Sequence, residues 1–264
     1  MQYTAHLKKM MTELQEEVQY YLLVDKGFLH LNQLIHRRFE IHLEGTRCLS
    51  CSADKKRYRQ GFCYACFFSS AQAGDWIIRP ELSKAHLDIE DRDLDFEKQV
   101  QLQPHVVYLA LSGNVKVGVT RKTQLPTRWI DQGAVQALEM VEVPNRYLAG
   151  ITEVALKAYV SDKTSWRQML KNDLSPQDLL TESTRLKAAI PEEAQAYYIP
   201  PSKLTHIRYP VSAYPKKIQS LHLEKTPAYS GILTGIKGQY LLFEDQTVFN
   251  VRSHEGCLVR IKIS

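Results

Sequence analysis

The feature that most constrains this chain is a pair of cysteine doublets packed into a short stretch: Cys48-Leu49-Ser50-Cys51, then Ser52 to Phe62, then Cys63-Tyr64-Ala65-Cys66. Each CxxC turn aims two sulfurs at one point, and a tetrahedral ion takes four thiolates at about 2.3 Å. The intervening residues suit a hairpin that folds one doublet onto the other. Disulfides compete for the same spacing. Met1 to Gln15, however, is charged and has no apolar core, so no secretory leader is expected. A reducing, cytoplasmic setting then favours metal over disulfide. A redox doublet fits less well, because two copies sit together without a βαβ pattern around them. We expect Cys48, Cys51, Cys63 and Cys66 to hold a structural zinc. With every position filled by thiolate, such an ion orders the chain and leaves no room for catalysis.

Arg47, Lys55, Lys56, Arg57 and Arg59 surround the doublets, with Tyr58, Phe62 and Tyr64 among them. Two readings stand side by side: a nucleic-acid surface, or a solvated hairpin whose rings shield the metal. The fifth cysteine, Cys257, reads as a small buried hydrophobe. Hydrophobic residues at 44% and charged residues at 24% exclude wholesale disorder. No run approaches the roughly 18 apolar residues of a membrane span. A net charge of +5 permits a polyanionic partner without requiring one.

Asp88, Glu90, Asp91, Asp93, Asp95 and Glu97 form the sharpest acidic run, broken only by Arg92. A calcium loop starting at Asp91 would place Phe96 where glycine is needed and Leu102 where glutamate is needed, so that reading fails. We read residues 67–103 as an acidic linker between the zinc module of residues 48–66 and a central segment, 104–190. Residues 1–47 and 191–264 read as β-rich ends. The two ends resemble each other. A shift of 220 carries Gln19–Asp25 onto Gln239–Asp245 and Phe39–Leu43 onto Val259–Ile263, and a shift of 226 brings Tyr3 onto Tyr229. Two related β units that pack as a pseudo-symmetric pair are expected.

In the centre, Val106–Ala110 reads as a buried strand, Ser112-Gly113-Asn114 as a turn, and Val115–Val119 as its hairpin partner. A short helix follows from about Pro126 to Gln132, with Gly133 beyond it. Leu138 to Val143 gives a third strand. Asn145 caps a longer helix whose Leu148, Ile151, Ala155, Ala158 and Tyr159 keep helical spacing. Thr164 to Lys171 reads as a further helix, and Ser175-Pro176-Gln177-Asp178 opens the last with a capping-box signature.

Val106-Val107-Tyr108, Lys116-Val117-Gly118-Val119-Thr120, Arg128 and Glu153, in that order, resemble the GIY-YIG nuclease pattern over roughly residues 104–172. Together with the cysteine doublets, Leu102-Gln103-Pro104-His105, Pro126–Ala134 and Gly235–Tyr240, they also resemble the bacterial family called domain of unknown function 2797. The fold class expected is α+β: a GIY-YIG-like three-stranded sheet with helices, a four-cysteine zinc module and β-rich terminal segments. The nuclease resemblance implies a catalytic set of Tyr108 to activate or orient water, Arg128 to steady the scissile phosphate, and Glu153 to hold one Mg²⁺ or Mn²⁺. It further implies Lys116, Gly118 and Arg121 on phosphate, and DNA or RNA as partner. Val106 and Val107 replace the Gly and Ile of the pattern, Lys116 replaces its second tyrosine, and Asn172 is the candidate for its downstream asparagine. A non-catalytic nucleic-acid-binding or assembly protein with the same fold is the alternative.

Overall fold

In the computed structural model, residues 1–160, 165–201 and 203–264 are described. Strands β1 (Gln2–His6), β2 (Met11–Glu13), β3 (Gln19–Val24), β4 (Gly27–His30) and β5 (Arg38–Thr46) precede the cysteine segment, which ends in helix α1 (Tyr64–Ser69). Helix α2 (Leu94–Gln101) leads to β6 (His105–Leu111), β7 (Val115–Arg121), α3 (Thr127–Asp131), β8 (Gln136–Val143) and α4 (Arg146–Lys157). Then come α5 (Trp166–Lys171), α6 (Leu179–Leu186), α7 (Glu192–Gln195) and the two-residue β9 (Thr205–His206). Strands β10 (Gln219–Ser220), β11 (Ala228–Lys237), β12 (Tyr240–Phe243), β13 (Thr247–Asn250) and β14 (Cys257–Ile263) complete the chain. The class is mixed α+β with several sheets. Among the described residues, no helix is long and apolar enough to cross a membrane.

The chain divides into two compact units, Met1–Phe68 with Arg208–Ser264, and Ser69–Ile207. In the first, both ends of the sequence enter one seven-stranded sheet, ordered β1-β14-β5-β11-β12-β13-β10, beside a three-stranded β2-β3-β4 sheet. The central strands show period-two patterning. Phe39 and Ile41 are buried and alternate with Arg38, Glu40 and His42, and Val259, Ile261 and Ile263 are buried and alternate with Arg260 and Lys262. The register relates the two ends by a local two-fold. Ile41 pairs with Ile261, while Phe39–Ile263 and Leu43–Val259 exchange under the shift of 220. The outer pairs exchange as well: Tyr3 with Ile261 becomes Tyr229 with Ile41.

The second unit is built on a four-stranded sheet, β7-β6-β8-β9, in which all seven residues of the central β6 are buried. Val107, Leu109 and Leu111 join an apolar core with Val115, Val117 and Leu138. Residues 67–103, read from the sequence as an acidic linker, are in fact largely folded. Trp76 and Ala85 are buried among short 3₁₀ turns, and the buried Glu97 carboxylate accepts the N–H groups of Asp91, Arg92 and Asp93 at 2.8–3.1 Å. Asp93 caps α2 through the Phe96 N–H at 3.0 Å. The acidic alternation therefore serves local capping. Gly150 of α4 lies so close to the Pro80–Glu81 backbone that a Cβ there would overlap it.

The helix expected from Thr164 spans Trp166–Lys171; Thr164 itself lies outside the described residues. Asn172 ends it in the left-handed conformation at φ +55°, which asparagine tolerates. The cap of α6 is Asp178, which accepts the Thr181 N–H at 2.9 Å, rather than Ser175, whose hydroxyl turns to Gln177. Cys257 is fully buried, and burial pushes its thiol up to about 11, as a small apolar side chain in a core behaves.

Candidate functional site

Two clusters carry chemistry, one in each unit. The first is the four-thiol cluster. The sulfurs of Cys48, Cys51, Cys63 and Cys66 all lie within 4.8 Å of one another, and none is in a disulfide. A tetrahedral zinc site has sulfur–sulfur edges of about 3.8 Å, so the donors are close to the arrangement a metal such as zinc takes. Cys48 and Cys63 are buried, Cys66 is half-buried and Cys51 is exposed. Burial raises the Cys48 thiol, but the N–H groups of Cys63, Cys51 and Ser50 outweigh it and bring the thiol down to about 6. The Cys63 N–H donates to Cys48 Sγ at 3.3 Å. The Ser50 hydroxyl lowers the Cys66 thiol, yet the neighbouring thiols and burial push it up to about 11. Four cysteine sulfurs this close together form a donor set that could bind a metal such as zinc. Gly61 sits at φ +77° in the turn between the doublets, where its Cβ position would overlap Leu49.

The second cluster grows from β6 and β7. Tyr108 and Gly118 are directly paired across these strands, and a Cβ on Gly118 would stand 2.6 Å from both Cζ and Oη of the Tyr108 ring. The glycine therefore leaves the room that the Tyr108 ring occupies. The Tyr108 hydroxyl donates to Gln132 Oε1 at 2.8 Å, and its ring meets Trp129 edge-on at 6.1 Å. Burial raises the phenol pKa, the Arg128 guanidinium lowers it, and the Glu153 carboxylate raises it again. Arg128 and Glu153 thus both lie within electrostatic reach of Tyr108.

Glu153 corrects the face assigned to α4. The stripe inferred from Leu148, Ile151, Ala155, Ala158 and Tyr159 leaves Ala158 and Tyr159 exposed. The buried face is Ala149, Gly150, Thr152, Glu153 and Leu156. Burial raises the Glu153 carboxyl pKa; Lys157, 3.3 Å away, and Arg146 hold it down, and Glu81 raises it. Arg146 was missed by the sequence reading. Its guanidinium donates to the carbonyls of Trp76 (3.1 Å) and Ile77 (2.7 Å) and lies 5.6 Å over the Trp76 ring. Burial depresses it to about 10, helped by Arg128 and Arg121 and opposed by Glu153 and Glu81. An arginine opening a helix opposes the dipole, and that was the one signal available for it.

The expected phosphate ligands Lys116, Gly118 and Arg121 all lie on β7, with Lys116 on the same face as Gly118. Lys116 and Arg121 are five residues apart on β7, about 16 Å, and the odd separation sends their side chains to opposite faces. Arg121 belongs with Arg128 and Arg146, whereas Lys116 sits opposite Ala110 near the β6–β7 turn. His105 joins the cluster from the start of β6. Its Nδ1–H donates to the Gln103 carbonyl at 2.7 Å, and its buried Nε2 has no hydrogen-bond partner among the described residues.

Fold and clusters together define a class: a two-unit α+β protein with a four-cysteine cluster that could bind a metal such as zinc and, in the other unit, a buried tyrosine and glutamate with half-buried arginines near them. The chain belongs to the family described as protein of unknown function (DUF2797), whose profile matches residues 36–259. No curated protein and no solved structure matches it.

Proposed function

We propose that the chain is a metal-dependent phosphodiesterase of GIY-YIG type acting on DNA or RNA, its central sheet being the three-stranded core of that fold with β9 added at the edge. The observation that carries this reading is the chain of charged groups about the buried Tyr108: Arg128 and Glu153 act on its phenol, Arg146 acts on Glu153, and Arg128 and Arg121 act on Arg146. Phosphodiester cleavage builds negative charge on the phosphate oxygens, and guanidinium groups held in a water-poor setting answer it without reorganising. Arg128 is assigned to the scissile phosphate and Arg121 to its surroundings, while Arg146, fastened to two carbonyls, fixes the field around Glu153. The raised pKa keeps the Tyr108 phenol neutral at pH 7. It therefore orients a water through its oxygen lone pairs rather than taking the water's proton.

Glu153 is the residue that would hold a divalent ion. Carboxylate oxygen is the hard donor Mg²⁺ and Mn²⁺ prefer, and a lone carboxylate leaves the remaining positions to water and substrate. Binding would exchange the Lys157 ammonium for that cation. The ion, when bound, supplies charge stabilisation at the leaving oxygen. The four-thiolate centre is assigned a structural zinc.

A second reading, a non-catalytic nucleic-acid-binding or assembly protein, draws support from the Lys157–Glu153 ion pair and from the engagement of the Tyr108 hydroxyl by Gln132. One experiment separates the two. Single-stranded, duplex and branched DNA and RNA are incubated with Mg²⁺ or Mn²⁺ and either wild type or Glu153→Gln. Cleavage by wild type that falls at least a hundred-fold in the variant supports the nuclease. Absence of cleavage, with a salt-sensitive gel shift, supports the binder and ends the catalytic reading.

A further inference from the structure

The cysteine module exposes rings that a module of its size would be expected to bury. Tyr64 is 64% exposed, Phe68 52% and Tyr58 42%. Tyr64 and Phe68 stand one turn apart on α1 with ring centroids 4.8 Å apart, and Tyr58 joins them at 5.1 and 5.8 Å. The four-thiolate centre, not an apolar core, has to order this segment, so the rings are free to form an outward platform. The Arg59 guanidinium lies 5.4 Å over the Tyr58 ring, and beside it a cleft of about 530 Å³ is lined by Lys56, Arg57 and Arg59 with Glu224. Glu224 is already bound to Arg57 at 2.6 Å, which leaves Lys56 and Arg59 as the cations facing outward.

We propose that this face binds single-stranded nucleic acid, with bases stacked on Tyr58, Tyr64 and Phe68 and phosphates held at Lys56 and Arg59. An apolar protein partner would not need the cations, and a purely acidic partner would not need the rings. A single strand offers both: flat π faces and anions along one flexible backbone. A duplex has its bases stacked internally and presents only the anions. The proposal shares with the nuclease reading the class of ligand alone. It concerns the other unit and is read by binding, so either can fail while the other stands.

The test is fluorescence anisotropy with labelled dT12, U12 and a 12-base-pair duplex, in zinc-containing buffer without Mg²⁺, across a salt series. Wild type is expected to bind the single strands at least ten-fold more tightly than the duplex. Tyr64→Ala and Phe68→Ala, at positions more than half exposed, should keep the circular dichroism spectrum and metal content of wild type. Each should weaken single-strand binding roughly 5- to 150-fold. Arg59→Ala and Lys56→Ala should each flatten the plot of log K against log salt by about 0.7. Equal affinity for duplex, wild-type affinity in both ring variants, or displacement by polyglutamate at equal charge concentration would each overturn the proposal. The last would reduce the surface to a general polyanion site.

Discussion

The two units reach order from opposite directions. The unit formed by the chain ends pairs strands separated by more than two hundred residues, and its chemistry is a local cluster confined to the stretch from Cys48 to Cys66. The central unit is contiguous in sequence, yet its chemistry is dispersed, drawing Tyr108, Arg128, Arg146 and Glu153 from two helices and a strand. In the first, a bound cation would neutralise the awkward groups. In the second, guanidinium and carboxylate groups must balance one another within the protein, and the strain shows as a depressed Arg146 and a raised Glu153. A site that a ligand completes can be short; a site that the protein itself must balance needs a whole domain around it.

The largest effect expected follows from that contrast. Structural zinc contributes on the order of 10 kcal/mol of apparent binding energy in small modules. Replacing Cys63 by Ser should therefore abolish stoichiometric metal and raise deuterium uptake throughout residues 47–68. Uptake in β6 and β8 should stay at the wild-type level. An equal rise in those strands would show that the units are not energetically separate.

A smaller effect concerns two buried histidines, both pushed down by burial but differing in their hydrogen bonds. In the first unit, His254 accepts the Leu223 N–H at Nε2 (3.2 Å) and donates from Nδ1 to the Asn250 carbonyl (2.7 Å), so both nitrogens are used. In the second, His105 has its Nε2 unpartnered among the described residues, and burial takes its pKa down to about 4. Between pH 6.5 and 4 the unfolded chain binds a proton that folded His105 refuses, so stability falls as pH drops through that window. The shift amounts to about 3 kcal/mol at most. Urea melts from pH 7 to pH 4 should show this loss in wild type and a flatter profile in His105→Gln. Identical slopes would mean that His105 is protonated inside the fold.

How much of this was legible in sequence differs between the units in the same way. The cysteine cluster could be read because its donors are rare residue types at fixed short spacing. The β repeat could be read because a shared register leaves a constant shift, and the paired Ile41 and Ile261 lie on its local axis. The face of α4 was misassigned because the aliphatic residues follow one stripe while the helix buries another. Glu153 and Thr152 go inward, and hydrophobicity gives no sign of a polar group that is buried for its charge. The acidic run from Asp88 to Glu97 misled for the opposite reason: carboxylates that look solvated are turned back onto backbone N–H groups, a pattern set by local dihedrals rather than by composition.

Two glycines on paired strands sharpen the comparison at the level of single methyl groups. On Gly118 in β7 a Cβ would press on the Tyr108 ring at 2.6 Å, and the ring is fixed between Gln132 and Trp129. Gly118→Ala should cost about 2 kcal/mol through overpacking, lowering the melting temperature of the central unit by about 4–8 °C. On Gly45 in β5 the nearest atom to a new Cβ is Leu258 Cδ1 at 3.8 Å, an ordinary contact, and the backbone is not left-handed. Gly45→Ala should be neutral or stabilising by up to about 1 kcal/mol, because it restricts the unfolded chain without crowding the folded one. Differential scanning calorimetry reads both. If the Gly118 variant melts like wild type, Tyr108 moves aside cheaply and is not a positioned group; if the Gly45 variant melts well below wild type, the strand there is more crowded than its neighbours imply. The first result bears on the proposed function, since a phenol that is to orient water would have to be held within a few tenths of an ångström, and Gly118 leaves the room in which the ring lies.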